Sequence, residues 1–121
     1  MYFKQMHYLC PNIKYYFRFV QLIIKDMYNR EIEKEVLRLS TYFRVLTITG
    51  PRQSGKTTLC KKVFPLFKYI NLEDETTRTE LELDRKNFLV KYREGLIIDE
   101  VQNMPEIFSV VQVVVDEYPD A

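Results

Sequence analysis

Eight consecutive residues carry the most legible chemistry in this chain. Gly50, Pro51, Arg52, Gln53, Ser54, Gly55, Lys56 and Thr57 reproduce the spacing G-x-x-x-x-G-K-[ST], in which a glycine-bounded turn aims successive backbone N–H groups at one point. Gly50 and Gly55 admit backbone conformations that side chains disfavour. A helix starting at Lys56 adds the partial positive charge of its N-terminus, so the loop is an anion site. Lys56 suits the β- and γ-phosphates as a point charge, and the Thr57 hydroxyl is an oxygen ligand for the Mg²⁺ that bridges them. The pattern predicts a purine nucleoside triphosphate as ligand. Thr58 reads as a packing residue.

A second constellation lies downstream. Leu96-Ile-Ile-Asp99-Glu100 is an apolar run that ends in two carboxylates and follows the turn residue Gly95, the pattern of a buried parallel strand with charges at its C-terminal end. Asp99 is the expected Mg²⁺ ligand, and Glu100 the base that polarises an attacking water. Phosphate-loop kinases of small molecules transfer to a bound hydroxyl and do not need that base. Glu100 therefore favours hydrolysis over a small-molecule kinase.

The elements that must position these residues can be read around them. Val45–Thr49 is a β-branched strand leading into the loop, and Lys56 to Phe64 is a helix stopped by Pro65. Ile13 to Tyr28 has Phe17, Val20 and Ile24 at helical spacing and predicts an amphipathic helix. Arg30 to Leu39 predicts another, with Ile32, Val36 and Leu39 inward and Glu31, Glu33, Lys34 and Glu35 outward. Lys68 to Leu72 reads as a strand. One or two helices follow up to Tyr92, with Leu81, Leu83, Phe88, Leu89 and Tyr92 available for burial. The carboxylates after Leu72 suit helix caps better than nucleotide contacts. In Pro105 to Glu117 the valines favour a strand, yet Pro105 and Glu106 suit a first helical turn, and the segment is assigned as a crossover helix. The fold class is α/β: residues 1–40 form an N-terminal helical segment and 41–121 a P-loop core with a parallel sheet flanked by helices.

Composition sets the bounds. At 121 residues there is room for one small domain, and 46% hydrophobic with 29% charged residues reads as globular. Eighteen basic against seventeen acidic residues leave a net charge of +1, so no global field points to nucleic acid or an anionic membrane. Tyr15 to Ile24 is interrupted by Arg18 and Gln21 and falls short of the roughly twenty apolar residues of a membrane span. Cys10 and Cys60 are too few for a disulfide scaffold and fit a reducing cytoplasm, with Cys60 a small core residue. His7, the one histidine, has no ligand-type partner nearby.

Beyond these readings, three blocks resemble the AAA-like ATPases of bacteria and archaea that carry an N-terminal P-loop domain and a C-terminal domain of unknown function. They are Gly50 to Leu59, Asn71-Leu-Glu-Asp74, and Ile97-Ile-Asp-Glu-Val-Gln102 followed by Met104-Pro-Glu106. The resemblance covers about Arg30 to Pro119. It implies ATP contacts from Gly50 to Thr58, Mg²⁺ at Thr57 and Asp99, and hydrolysis at Glu100, with no role implied for Gln102. Residues 1–26 lie outside it, and members of the family tend to begin close to a segment like Met27-Tyr-Asn-Arg-Glu31, so the resemblance implies a start at Met27 with residues 1–26 not native coding sequence; a Met1 peptide in the native protein would exclude this.

The family continues past the position of Ala121 with a sensor strand and arginine contacts, and that strand lies between the loop strand and the Asp99 strand. The resemblance thus implies an ATPase whose C-terminal strands are missing, with an open lane in its sheet. An isolated chain of this kind is expected to be unstable and to hydrolyse ATP negligibly. The alternative reading is a truncated, non-catalytic fragment that binds nucleotide or serves as an interaction piece.

Overall fold

The structure, a computed structural model, describes residues 19–23, 29–51 and 53–121. Among the described residues there are four strands and five α-helices, one strand more than the three read from the sequence. Strand β1 (Phe19–Ile23) precedes helix α1 (Asn29–Tyr42), strand β2 (Val45–Thr49) and helix α2 (Lys56–Val63). Strand β3 (Lys68–Asn71) is followed by α3 (Glu75–Leu83), α4 (Arg85–Lys91), β4 (Leu96–Asp99), a 3₁₀ turn (Val101–Asn103) and α5 (Ile107–Glu117). Helices and small parallel sheets alternate, a mixed α/β arrangement.

The N-terminal segment departs from the sequence reading. Phe19–Ile23 is a strand and not part of a helix, pairing in parallel with β2 from Phe19 opposite Val45 to Ile23 opposite Thr49. Its FVQLI composition has β propensity, and a parallel partner for β2 outweighs the weak helical spacing. The rest of the predicted helix, 13–18 and 24–28, lies outside the described residues, as does His7.

The two parallel pairs, β1–β2 and β3–β4, form separate two-stranded sheets. The core divides in the same way. Ile32 and Val36 of α1 pack with Leu46, Ile48, Leu59, Val63 and Phe64. A larger cluster joins Ile70, Leu72, Leu81, Leu89, Met104, Ile107 and Val114. Between β2 and β4 runs a cleft of about 640 Å³, lined by Leu46, Ile48, Leu96, Ile98, Phe64 and Val111 among others. This is why β4, expected to be buried, is half-buried along its length, as is β2.

Local chemistry accounts for the helix boundaries. Asp74 caps α3, accepting from Thr77 N–H at 3.0 Å and Thr77 Oγ1 at 2.6 Å, and Asp84 caps α4 through Asn87 N–H. The carboxylate at Asp74 therefore serves the helix, as expected. The Thr77 side-chain bond is the chief cause holding its carboxyl below the usual aspartate range. Helix α5 starts at Ile107, two residues later than Pro105 suggested, and buries Ile107, Val114 and Val115. No basic residue of its own lies in its last turn. Arg44, in the bend between α1 and β2, supplies one, its Nη1 donating to Val115 O at 2.7 Å and Tyr118 O at 3.3 Å. Leu83, expected inside, is 83% exposed: it ends α3 beside Asp84, which turns the chain into α4. Among the described residues no helix is long and apolar enough to cross a membrane.

Candidate functional site

The site forms where α2 begins. Gly55 stands at the N-cap with φ 81, and no side chain caps the helix, so its first-turn N–H groups are left for another acceptor. Gln53 shares the left-handed region with φ 60, a conformation that costs a residue with a side chain on the order of 1 kcal/mol. Lys56 Nζ donates to Gly50 O at 3.1 Å, Pro51 O at 2.8 Å and Ser54 Oγ at 3.3 Å. The ammonium is thus folded over the loop that the sequence assigns to phosphate. Arg52 lies outside the described residues. Pro51 and Gln53 are exposed, and so is Thr58, which corrects its reading as a packing residue: it falls on the solvent side of α2.

Thr57 turns the other way, toward β4. Its Oγ1 donates to Asp99 Oδ2 at 2.6 Å across a separation of 42 residues. Two further donors hold the same carboxylate: Tyr69 OH on Oδ2 at 2.9 Å and Glu100 N–H on Oδ1 at 2.9 Å. Burial pushes the Asp99 carboxyl up, but the bonds from Thr57, Tyr69 and Glu100 N–H, with the Lys56 charge, outweigh it and hold the group below its ordinary range. Tyr69 responds in the opposite sense. Burial, then its bond to Asp99 and the charges of Asp99 and Glu100, push its phenol up to about 12.

Glu100 follows Asp99 in the left-handed region, φ 54, a strained backbone of the kind that gathers at functional sites. Its Oε2 accepts from Gln102 Nε2, a partner for which the sequence offered no role. Burial and the Asp99 charge raise the Cys60 thiol above its ordinary value. Half-buried on α2, Cys60 is a protonated lining residue and not a reactive thiolate.

The predicted residues Gly50, Ser54, Gly55, Lys56, Thr57, Asp99 and Glu100 thus converge on one end of α2. Tyr69 and Lys61 were missed. Lys61 Nζ sits 3.7 Å from the Tyr69 ring centroid. Their involvement depends on strand register, which a pattern of residue types does not specify.

An AAA domain family model matches residues 42–121. Two curated relatives match over 73 residues at 37% identity, one an uncharacterized protein of Mycobacterium bovis and the other an uncharacterized protein of Mycobacterium tuberculosis. Each match covers 60% of this chain and 17% of the relative, so the chain spans well under a quarter of the length of the relatives it matches. No solved structure gives a significant match. A glycine-capped helix meeting an aspartate at a strand end, within a segment that the family model covers throughout, places the chain in the AAA domain family of P-loop ATPase-like proteins.

Proposed function

We propose that the chain is an ATP-binding P-loop domain, with the Walker A loop at Gly50 to Thr58, Mg²⁺ held by Thr57 and Asp99, and Glu100 as the hydrolytic base of the intact family architecture. The observation that carries this reading is the 2.6 Å bond between Thr57 Oγ1 and Asp99 Oδ2. It brings a hydroxyl and a carboxylate together beside a phosphate-type loop. Hard oxygen donors in small number fit Mg²⁺, which retains several waters. Bound Mg²⁺ would neutralise charge developing across the β- and γ-phosphates.

The remaining work belongs to the chain's own residues. Lys56 spends its donors on two carbonyls and a hydroxyl; phosphate oxygens offer the same donors anionic acceptors, so the exchange keeps hydrogen bonds and gains charge attraction. Asp99 accepts from Thr57 and keeps that hydroxyl oriented. Glu100, next in sequence, accepts the proton of an attacking water. A cytoplasmic location is part of the proposal, as is a 41–121 core. With a net charge of +1, nucleic acid is not an indicated partner.

A second reading, nucleotide binding without turnover, is favoured by one observation: β2 and β4 lie in separate sheets across an open cleft, which leaves the two halves of the site tied chiefly by side chains. Titration with mant-ATP and measurement of phosphate release test both. Lys56→Ala should weaken binding more than about tenfold by removing a charge that faces two phosphates. Lys62→Ala breaks a surface pair with Glu33 at 2.5 Å and should change binding less than about twofold. Equal effects would sink the assignment. Phosphate release that Glu100→Gln abolishes supports hydrolysis, and binding without release supports the second reading.

A further inference from the structure

Helix α2 and the β3–β4 sheet meet in a square of four side chains. Thr57 and Lys61 are four residues apart on α2 and so lie on one helix face. In the β3–β4 register Tyr69 stands opposite Ile97, and Asn71 opposite Asp99. Tyr69 and Asp99 therefore share a sheet face one diagonal step apart, roughly 7–8 Å, which an aromatic side chain can cross. The two pairs interlock: Thr57 Oγ1 and Tyr69 OH both donate to Asp99 Oδ2, and Lys61 Nζ lies 3.7 Å above the Tyr69 ring.

We propose that Tyr69 is a positioning residue for Mg²⁺-dependent nucleotide binding, fixing the Asp99 carboxylate through its phenol while Lys61 fixes the ring. The inference rests on the ATP-binding reading above. Its physical basis is a division of labour on one carboxylate. An ionised carboxylate offers about four acceptor positions, and three are taken by Thr57, Tyr69 and the Glu100 N–H. Thr57 has two tasks, since its oxygen is also the proposed metal ligand. Tyr69 has one, and its bond to Oδ2 holds the carboxylate plane whichever way the Thr57 lone pairs are used. The cation over the ring restrains the phenol from the α2 side, so the helix that carries the loop also sets the orientation of the carboxylate on the neighbouring sheet.

A purely structural tie between α2 and β3 would affect nucleotide binding equally with and without metal, and this separates the two roles. Mant-ADP affinity is measured for the full chain in Mg²⁺ and in EDTA, and the ratio of the two is the readout. Tyr69→Phe keeps the ring and the Lys61 contact and removes one hydroxyl. It should narrow the ratio about fivefold, the worth of one partly screened bond to a charged group, and leave the affinity in EDTA unchanged. Lys61→Met, at an exposed position, should narrow the ratio about twofold, as expected for a cation–π contact at the surface. An unchanged ratio in Tyr69→Phe, or an equal loss in both buffers, overturns the inference while leaving nucleotide binding standing. Should Tyr69→Phe fail to fold, an unchanged ratio in Lys61→Met overturns it instead. Wild-type chain that binds mant-ADP in neither buffer overturns the ATP-binding reading itself.

Discussion

Replacing Thr57 by valine removes one hydroxyl and keeps the side chain's shape, so it isolates the bond that joins α2 to β4. Asp99 loses its shortest partner, Thr57 Oγ1 at 2.6 Å, and retains Tyr69 OH and Glu100 N–H, each at 2.9 Å. A hydrogen bond to a charged group contributes about 1.5–3 kcal/mol. Asp99 is half-buried, and solvent screening lowers the expected loss to about 1–2 kcal/mol. The loss depends on pH with a definite sign. Burial opposes ionisation of Asp99, but its donors prevail and the folded carboxyl titrates below its ordinary value of 3.8. A carboxylate depressed in the folded state contributes stability above its unfolded value, and that contribution disappears as pH falls through the folded value. Thr57→Val should therefore destabilise fully at neutral pH, with the difference from wild type shrinking once the pH drops below 3.8. Urea unfolding followed by circular dichroism across that range measures it, with sucrose, which does not titrate there, in every sample to support the folded baseline. A difference that is the same at neutral and acid pH, or absent at neutral pH, would refute the claim that Thr57 acts through ionised Asp99.

Three further outcomes are expected. Glu100→Gln keeps the shape of the side chain and removes the base, so mant-ATP affinity should hold while any phosphate release falls; loss of binding with intact folding would give Glu100 another task. Leu81→Ala empties a fully buried position in the larger cluster and should cost about 2–5 kcal/mol in urea unfolding, whereas Leu37→Ala, 48% exposed, should stay within about 0.5 kcal/mol. Gly95→Ala would set a Cβ 2.2 Å from Phe67 Cδ1 and disturb the Phe64–Phe67 stack at 4.7 Å. It should cost about 1–3 kcal/mol, and the cost should vanish in a Phe67→Ala background if the ring is its source.

The sequence by itself determined what depends on neighbours along the chain. The turn at Gly55, the strand Val45–Thr49, the helix that ends before Pro65, the inward face Ile32, Val36 and Leu39, and the cap at Asp74 all follow from local spacing and backbone chemistry. The loop lysine and the strand-end carboxylates were legible for the same reason. Pairing decided the rest. Phe19–Ile23 fits helical spacing and is a strand, because β2 offers it a parallel edge. Leu83 has the apolarity of a core residue and lies outside, because α3 ends there at Asp84. Tyr69 reads as an ordinary strand aromatic until the register puts Ile97 opposite it, which carries its hydroxyl diagonally to Asp99. Arg44 reaches the end of α5 over 71 residues of chain. Residue types fix a local period, but which strand lies beside which, and at what offset, is set by packing between segments far apart in sequence. The partners of the Asp99 carboxylate were therefore decided only in the folded chain.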